Sequence, residues 1–544
     1  MRYRIAALLL TVLLNCTVLS ASAYNAQPKL VVVIVIDQFR GDYLERAHDQ
    51  LVPDGFRLLI DRGAYFDSCN YGYANTRTAP GHATLFTGAY SDGHGILANE
   101  WWDPVKKKMV TSVEDDTTRI VGVSGGEPGA SPHKLLADTI GDELRLATQG
   151  RARVFSISLK DRSAVLPGGF SANAAYWIDH SSGAWITSTY YMNSLPAWVQ
   201  QFNSSGNSDK YWNREWKNNA GQVLRNTNKP AQKADFYGII GSTPFANDYE
   251  FDFARTLITN EKLGQGPATD LLLISLSAND ILGHQVGPDS PQIEAMALAL
   301  DRQLAGFFGF LGKQIGLGNV LIALSADHGI SPMPPVASSF RLPAANLDER
   351  QLSARLNDIL AAKYGPGTYV PRGGLSWPVL FLDENAFAGK NVREADAEHT
   401  AGEALKQVGM RSYFTRSELA DFRVPADELG RRYLHSFSPE PSWYVLGVPA
   451  PYFVGTSRGT DHASPYNYDT HVPLAFFGLP FQPGVYREHS EPVDLAVTLA
   501  SLLGINAPNS AVGRVLTEAL RIPPNAAARR GIMIPAETSK EDKH

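Results

Sequence analysis

The chain has 544 residues, of which 44% are hydrophobic and 19% are charged, and its formal net charge is −6. This balance is typical of a globular protein and excludes wholesale disorder. The mild acidity and the lack of a long basic run exclude a general nucleic-acid binder, so any phosphate recognition must be local.

The N-terminus has the pattern of a secretory signal peptide. Two arginines precede an apolar run at residues 5–14, and small residues at 21–23 precede Tyr24. We expect residues 1–23 to be removed and the mature chain to be periplasmic or secreted, with no membrane partner. The alternative is an uncleaved anchor, for which the apolar run is short, because a spanning helix needs about 20 residues. Removal leaves Cys69 as the single cysteine, so the mature chain can form no internal disulfide.

Five apolar runs predict strands that are buried on both faces, as in parallel sheets. They cover residues 31–36, 154–157, 271–276, 320–324 and 474–477. Helical patterns lie between some of these runs, most clearly at residues 291–311, and another pattern at 494–503 follows the last run. Strands that alternate with helices predict an α/β fold with a doubly wound, mainly parallel sheet flanked by helices.

Two stretches interrupt this alternation and predict cap regions inserted over one edge of the sheet. Residues 170–250 are rich in Asn, Ser, Trp and Tyr, and residues 335–455 are rich in Pro, Gly and charge. We therefore expect one catalytic domain over residues 24–525 that carries both insertions. Residues 526–544 are expected to form a loose C-terminal tail.

Acidic residues and histidines follow the predicted strands directly. The carboxyl ends of strands in an open α/β sheet meet at one edge, where ligands bind. Carboxylates and neutral imidazoles are what Zn²⁺ takes as ligands. A helix cap or a simple turn would explain any one of these residues, but several strand ends with such residues favour a metal site. The set is Asp37, Asp280, His284, Asp327 and His328.

The segment from Asn75 to Gly88 predicts a short helix, with Pro80 in its first turn and Gly88 at its end. Thr78 then lies near the helix N-terminus, where unpaired N–H groups and the helix dipole favour negative charge. Such a position stabilises both an alkoxide and a bound phosphate. From this segment alone, the better interpretation is that Thr78 is only an N-cap.

Taken together and in order, the motifs resemble the alkaline phosphatase superfamily, most closely the bacterial alkaline phosphatases that use a threonine nucleophile. The resemblance rests on the blocks VVVIVIDQFRGDY, NTRTAPGHATLFTG, GHGILANEWWD, SISLKDRSAVLPGG, SANDILGHQVGP, SADHGI and GTDHASPYNYDTHVPL. It covers essentially the whole mature chain. It implies an alkaline phosphatase-like fold, two zinc ions, and hydrolysis of small phosphate monoesters through a phosphothreonine intermediate.

The resemblance also implies a role for each matching residue. Thr78 is implied as the nucleophile and as a ligand of one zinc ion. His471 is an alternative to His462, and the sequence leaves open both the oligomeric state and an additional structural Ca²⁺ or Mg²⁺. One zinc would be held by Asp280, His284 and His462, and the other by Asp37, Asp327, His328 and Thr78.

Substrate recognition is implied for Asn99, Lys160 and Arg162. A phosphate monoester dianion carries more exposed charge than a diester, so two cations aimed at it favour monoesters. The plainer interpretation of Lys160 and Arg162 is a solvated turn. The alternative functions are a phosphodiesterase or nucleotide pyrophosphatase of the same superfamily, a sulfatase, and a non-catalytic module that binds metal or phosphate.

Overall fold

The computed structural model describes residues 27–125, 127–439 and 442–521. The predicted signal peptide and the predicted tail at 526–544 lie outside these ranges. Within them, every helix is too short or too polar to cross a membrane.

The described chain contains twenty-one strands, numbered here in chain order. They are β1 Leu30–Ile36, β2 Ala64–Phe66, β3 Glu100–Asp103, β4 Lys108–Thr111, β5 Glu114–Val121, β6 Pro128–Ala130, β7 Val154–Ser158, β8 Ala174–Ile178, β9 Trp185–Ser188, β10 Glu215–Lys217, β11 Val223–Asn226, β12 Asp270–Leu276, β13 Val320–Ser325, β14 Ala345–Asn346, β15 Leu375–Ser376, β16 Val379–Phe381, β17 Ser412–Thr415, β18 Tyr444–Val448, β19 Phe453–Val454, β20 Leu474–Phe477 and β21 Gly484–Tyr486.

Helices connect and cover these strands. The α-helices of the described chain are Asp42–Ala47, Phe56–Ile60, Thr78–Thr87, Ser91–His94, Ile140–Ala147, Asp161–Gly168, Ala197–Ser204, Phe236–Ile239, Pro244–Asn260, Ala278–Val286, Pro291–Gln314, Pro334–Ser339, Glu349–Tyr364, Glu394–Gln407, Arg416–Ala420, Glu428–His435, Asn467–Thr470 and Asp494–Leu503. Short 3₁₀ turns cover His48–Gln50, Asp209–Tyr211, Leu317–Asn319, Glu384–Phe387 and Thr517–Ala519.

An eleven-stranded sheet forms the centre, in the order β21-β2-β20-β13-β1-β12-β7-β8-β9-β5-β6. Its five middle strands, from β13 to β8, are parallel to one another, and antiparallel strands extend the sheet on both sides. All seven residues of β1 are buried, as its run of β-branched residues predicts. The predicted fold class is therefore confirmed. Because β1 lies between β12 and β13, the residues that follow these three strands meet at one edge.

The first predicted cap region differs in part from the prediction, since β8 and β9 of residues 170–250 belong to the central sheet. The aromatic residues that distinguish this stretch lie partly in the core rather than in a cap. Trp185 of β9 is fully buried and stacks on Phe253 at 4.0 Å between ring centroids. The hairpin of β10 and β11 and the helices Ala197–Ser204 and Phe236–Ile239 lie outside the sheet.

The second predicted cap region, residues 335–455, forms a sheet of its own in the order β15-β16-β18-β17. The helix Glu394–Gln407 packs against β17 and β18, and the helix Glu349–Tyr364 packs against β15. Buried side chains such as Leu356, Leu380 and Leu405 form a separate apolar cluster there. This region therefore has its own small core beside the central sheet.

Candidate active site

Two groups of side chains meet at the carboxyl edge of the parallel strands. The potential ligand atoms within each group lie within 4.8 Å of one another, and the side chains are buried except for a partly exposed His284. Asp37 follows β1 directly, and the helix Ala278–Val286 places Asp280 and His284 one turn apart after β12. The first ligand group is Asp37, Asp327 and His328, and the second ligand group is Asp280, His284 and His462.

The two groups adjoin each other. The rings of His328 and His462 stack, with 3.7 Å between their centroids and 21° between their planes. The ammonium of Lys160 contacts both groups, because its Nζ lies 2.6 Å from Asp37 Oδ2 and 2.5 Å from Asp280 Oδ2. The six side chains therefore form one continuous polar site in the interior.

The charges of this site suit a cation. Within the described chain, the buried atoms Asp37 Oδ1 and Asp327 Oδ2 accept no hydrogen bond. His82 Nδ1 does approach Asp327 Oδ2 at 3.2 Å, but its hydrogen bond goes to the Thr78 carbonyl at 2.8 Å. Burial raises the pKa of Asp37 well above its ordinary value, and the neighbouring carboxylates raise it further. Because unpaired buried carboxylates are costly, a bound cation would stabilise this arrangement, and the oxygen and imidazole donors fit Zn²⁺.

The histidines are oriented as metal ligands usually are. Nδ1 of His284 donates to the Thr460 carbonyl at 3.0 Å, and Nδ1 of His462 donates to the Thr76 carbonyl at 2.7 Å. Nδ1 of His328 lies 2.9 Å from the carbonyl of the next residue. Each of these bonds leaves Nε2 with a lone pair for a cation. Burial lowers the pKa of His328 and of His462, which favours the neutral, ligating form. The pKa of His284 is instead raised to about 9 despite its burial, because its Nε2 lies 3.1 Å from the Asp280 carboxylate.

Thr78 is the first residue of its helix, and Gly88 ends that helix in the left-handed conformation, as the sequence predicts. The N-cap position belongs to Arg77, so the interpretation of Thr78 as only an N-cap is wrong. The buried Oγ1 of Thr78 lies 3.5 Å from Nε2 of His328, beside the first ligand group. Asn99 is held next to it, because Asn99 Oδ1 accepts the Ala79 N–H at 2.8 Å.

Lys160 and Arg162 stand at the start of the helix Asp161–Gly168, which follows β7. Lys160 is only 2% exposed, and Arg162 Nε is buried with no hydrogen-bond partner in the described chain. A solvated turn is therefore wrong for Lys160, whereas the side chain of Arg162 is 24% exposed. Cations at a helix N-terminus oppose the helix dipole, so the combined positive field suits an anion. This helix packs against the Thr78–Thr87 helix. Both helices begin beside the first ligand group, since Thr78 Oγ1 lies near His328 and Lys160 Nζ contacts Asp37.

Two residues of the site were not identified from the sequence. Gln38 joins the two ligand groups, since its backbone N–H donates to Asp327 Oδ1 at 3.0 Å and its Nε2 donates to Asp280 Oδ1 at 2.8 Å. No pattern in the sequence marks Gln38. His82 also lies among the ligands, one helical turn after Thr78, and its Nε2 lies 2.7 Å from Ser275 Oγ. The four-residue spacing of Thr78 and His82 on one helix face is a signal that could have identified it.

His471, the alternative to His462, lies apart from both ligand groups. Its Nε2 is 2.8 Å from the Asp67 carbonyl, and its ring fills the space beside Gly41. The geometry therefore favours His462 as the potential ligand.

Adjacent carboxylate and imidazole groups at the edge of a parallel sheet, beside a hydroxyl at a helix N-terminus, are the arrangement of two-metal hydrolases. Residues 31–407 match the family model described as type I phosphodiesterase / nucleotide pyrophosphatase. Since this match spans well over half of the chain, the protein belongs to that family.

Relatives that match over nearly their full length show which proteins this chain resembles. The chain is 33% identical to the alkaline phosphatase PhoV of Synechococcus elongatus, over 91% of this chain and 94% of the relative. It is 31% identical to the alkaline phosphatase PafA of Elizabethkingia meningoseptica, over 94% and 98% of the two chains. A Myroides odoratus protein named calcium-transporting ATPase is 34% identical, over 92% and 96%.

A solved structure agrees with these relatives. The crystal structure of the alkaline phosphatase PafA superimposes with a TM-score of 0.83 at 29% identity, and the match covers 91% of this chain and 99% of that one. The resemblance to bacterial alkaline phosphatases that the sequence indicates is therefore confirmed.

Proposed function

We propose that this alkaline phosphatase hydrolyses phosphate monoesters through a phosphothreonine intermediate on Thr78, with two zinc ions in its ligand groups. The observation that carries the proposal is the position of the Thr78 hydroxyl, at the start of a helix and 3.5 Å from Nε2 of His328. A helix N-terminus favours the negative charge that the hydroxyl acquires as a nucleophile. The signal-like N-terminus supports a periplasmic or secreted enzyme.

The two ligand groups would hold the zinc ions, with Thr78 Oγ1 as an additional ligand at the first group. When bound, the two cations lower the pKa of the nucleophile and offset charge on the attacking and leaving oxygens. The buried carboxylate oxygens of Asp37 and Asp327 without hydrogen bonds support this role.

Thr78 performs the covalent step. Its hydroxyl gives its proton to a hydroxide ion from solvent, its oxygen attacks phosphorus, and the bond from phosphorus to the ester oxygen breaks in line with the attack. The alcohol leaves and takes its proton from water. Water then attacks the phosphothreonine, the bond to Thr78 Oγ breaks, one proton of the attacking water returns to Thr78 Oγ, and inorganic phosphate departs. Two displacements invert phosphorus twice, so the configuration at phosphorus is retained overall.

Asn99, Lys160 and Arg162 would stabilise the phosphoryl oxygens. The Oδ1 atom of Asn99 is engaged by the Ala79 N–H, so its amide N–H groups are the donors that it can offer. Lys160 Nζ lies between Asp37 and Asp280, so a phosphoryl group between the two ligand groups lies beside this ammonium. Two cations favour a dianionic monoester over a monoanionic diester.

A phosphodiesterase is the second candidate, because the matching family model carries that name. The two functions differ in how strongly they depend on the cations at the start of the helix Asp161–Gly168. A diester presents one charge fewer and needs the Lys160 and Arg162 charges less.

The test compares kcat/KM for p-nitrophenyl phosphate and bis(p-nitrophenyl) phosphate in the wild type and in the double variant Lys160→Ala with Arg162→Ala. We expect a loss of at least a hundredfold for the monoester and a much smaller loss for the diester. Because Lys160 also touches two potential ligands, zinc content is measured alongside. Arg393→Ala removes an exposed cation at another helix start and serves as the control. Equal losses for both esters would refute monoester selectivity.

A second variant tests the nucleophile. Thr78→Ala should abolish turnover and phosphoenzyme formation while it leaves most of the zinc bound, because six other ligands remain. Full activity in Thr78→Ala would overturn the proposed mechanism.

A further inference from the structure

The segment from His462 to Ser464 forms several hydrogen bonds with Thr76. The Thr76 carbonyl accepts the His462 Nδ1–H at 2.7 Å. The Ser464 N–H donates to Thr76 Oγ1, and this hydroxyl donates in turn to the Ser464 carbonyl, both at 3.1 Å. Thr76 is fully buried and stands two residues before Thr78. The His462 ring is therefore held by hydrogen bonds to the chain segment that leads into Thr78.

The same segment is bonded to the first ligand group at its other end. Ser464 Oγ donates to Asp469 Oδ2 at 2.5 Å, a short hydrogen bond between two buried side chains. The carbonyl of Asp469 accepts the Gly329 N–H at 2.7 Å, and the Tyr468 carbonyl accepts the Ile330 N–H at 2.9 Å. Gly329 follows His328 directly. A continuous chain of bonds thus runs from His462 through Ser464 and Asp469 to the residue beside His328.

This segment is held in a conformation that is unfavourable by itself. Ala463, between His462 and Ser464, has φ +80°, a left-handed conformation that residues with a side chain rarely adopt. The carboxyl of Asp469 is only 1% exposed, and within the described chain its Oδ1 accepts no hydrogen bond. The fold retains a strained residue and an incompletely paired acid at the point where the two ligand groups meet.

We propose that Ser464 and Asp469 are positioning residues that fix His462 against His328 and the Thr78 segment. Their bond anchors Ser464, which directly follows the strained Ala463, so its loss lets His462 move. The stack of His462 on His328, at 3.7 Å, transmits that movement to the first ligand group. This inference rests on the proposed zinc-dependent function, in which metal-ligand orientation depends on such outer contacts.

The test measures zinc affinity by competition with a chelator, together with kcat and KM at saturating zinc. Ser464→Ala should weaken one of the two bound zinc ions by about 10- to 100-fold and lower kcat more than it raises KM. Asp469→Asn keeps an oxygen that can accept from Ser464, so it should lose less affinity than Asp469→Ala. Ser91→Ala, which removes a buried hydroxyl without a hydrogen-bond partner elsewhere in the described chain, is the control.

His462→Ala separates this inference from the proposed function. If His462→Ala binds both zinc ions like the wild type, the assignment of the second ligand group fails. If His462→Ala weakens zinc while Ser464→Ala behaves like Ser91→Ala, the positioning role alone is overturned. If Asp469→Ala does not fold, Asp469→Asn is compared with Ser464→Ala instead. Only a positioning role predicts that Asp469→Asn loses less zinc affinity than Ser464→Ala.

Discussion

Gln38 donates one hydrogen bond to each ligand group, one from its backbone and one from its side chain. A change of its side chain therefore affects only one of the two groups directly. Gln38→Ala removes the 2.8 Å bond from Nε2 to Asp280 Oδ1 but keeps the backbone N–H that donates to Asp327. The backbone of Gln38 has φ +64°, and alanine at this position is as constrained as glutamine. The substitution therefore tests the contact with Asp280 and leaves the local backbone largely unchanged.

The expected size follows from the charge of the acceptor. A hydrogen bond to a charged group contributes about 1.5–3 kcal/mol, and each 1.4 kcal/mol corresponds to a factor of ten. We therefore expect the zinc ion of the second ligand group to bind roughly 10- to 100-fold more weakly in Gln38→Ala. The zinc ion of the first ligand group should keep its affinity within about threefold, because the bond to Asp327 remains.

Chelator competition with isolated protein measures the two zinc ions as two binding steps, and only the step that belongs to the second ligand group should move. Gln50→Ala, which removes an exposed bond to Glu294, serves as the control. Activity measured at rising free zinc should recover most of its loss, since the catalytic groups are intact. Two unchanged binding steps in Gln38→Ala would refute the claim that this residue orients Asp280.

Two further predictions concern the surroundings of the site and the second cap region. In Gly283→Ala, the added Cβ would lie 2.0 Å from Gln38 Oε1 and would displace that side chain. This variant should therefore show the same loss of zinc affinity as Gln38→Ala in the competition assay. Wild-type zinc affinity in Gly283→Ala would contradict the close approach. Burial raises the pKa of Glu398 to about 7, above its ordinary value of 4.5, so its contribution to stability is complete below pH 4.5 and is lost as pH rises through 7. Glu398→Gln should therefore gain stability relative to the wild type between pH 5 and pH 8, by up to about 3 kcal/mol, and thermal unfolding at both pH values checks this; a gain independent of pH would contradict it.

The sequence predicts the parts of the fold that depend on local pattern. The β-branched run of β1 is readable because a strand buried on both faces admits only apolar residues. Potential ligands such as Asp37 and Asp327 can be identified from the sequence because they follow such strands. The helix Pro291–Gln314 extends three residues beyond its predicted end, because Gly312, which would signal a helix end after Leu311, lies inside the helix.

The remaining features depend on tertiary contacts that no local pattern records. The contacts of Lys160 with Asp37 and Asp280 join three strand ends, so they appear only once the strand order is known. The aromatic composition of residues 170–250 is compatible with a cap or with a core. The packing of Trp185 on Phe253 shows that the part around Trp185 belongs to the core. The role of Gln38 follows from a backbone conformation that its side chain does not specify.

The central place of β1 has a consequence for how the protein reaches its native state. Leu30 pairs with Asp270 on one side and with Val320 on the other, so both pairings close loops of hundreds of residues. Such non-local contacts form slowly, because the chain must lose much of its freedom before they stabilise it. The ligand groups are assembled from residues after β1, β12 and β13, together with a later loop, and are complete only when this long-range pairing has finished. A zinc ion held by these groups would therefore bind the finished fold in preference to earlier species, and its uptake would report the last stage of folding.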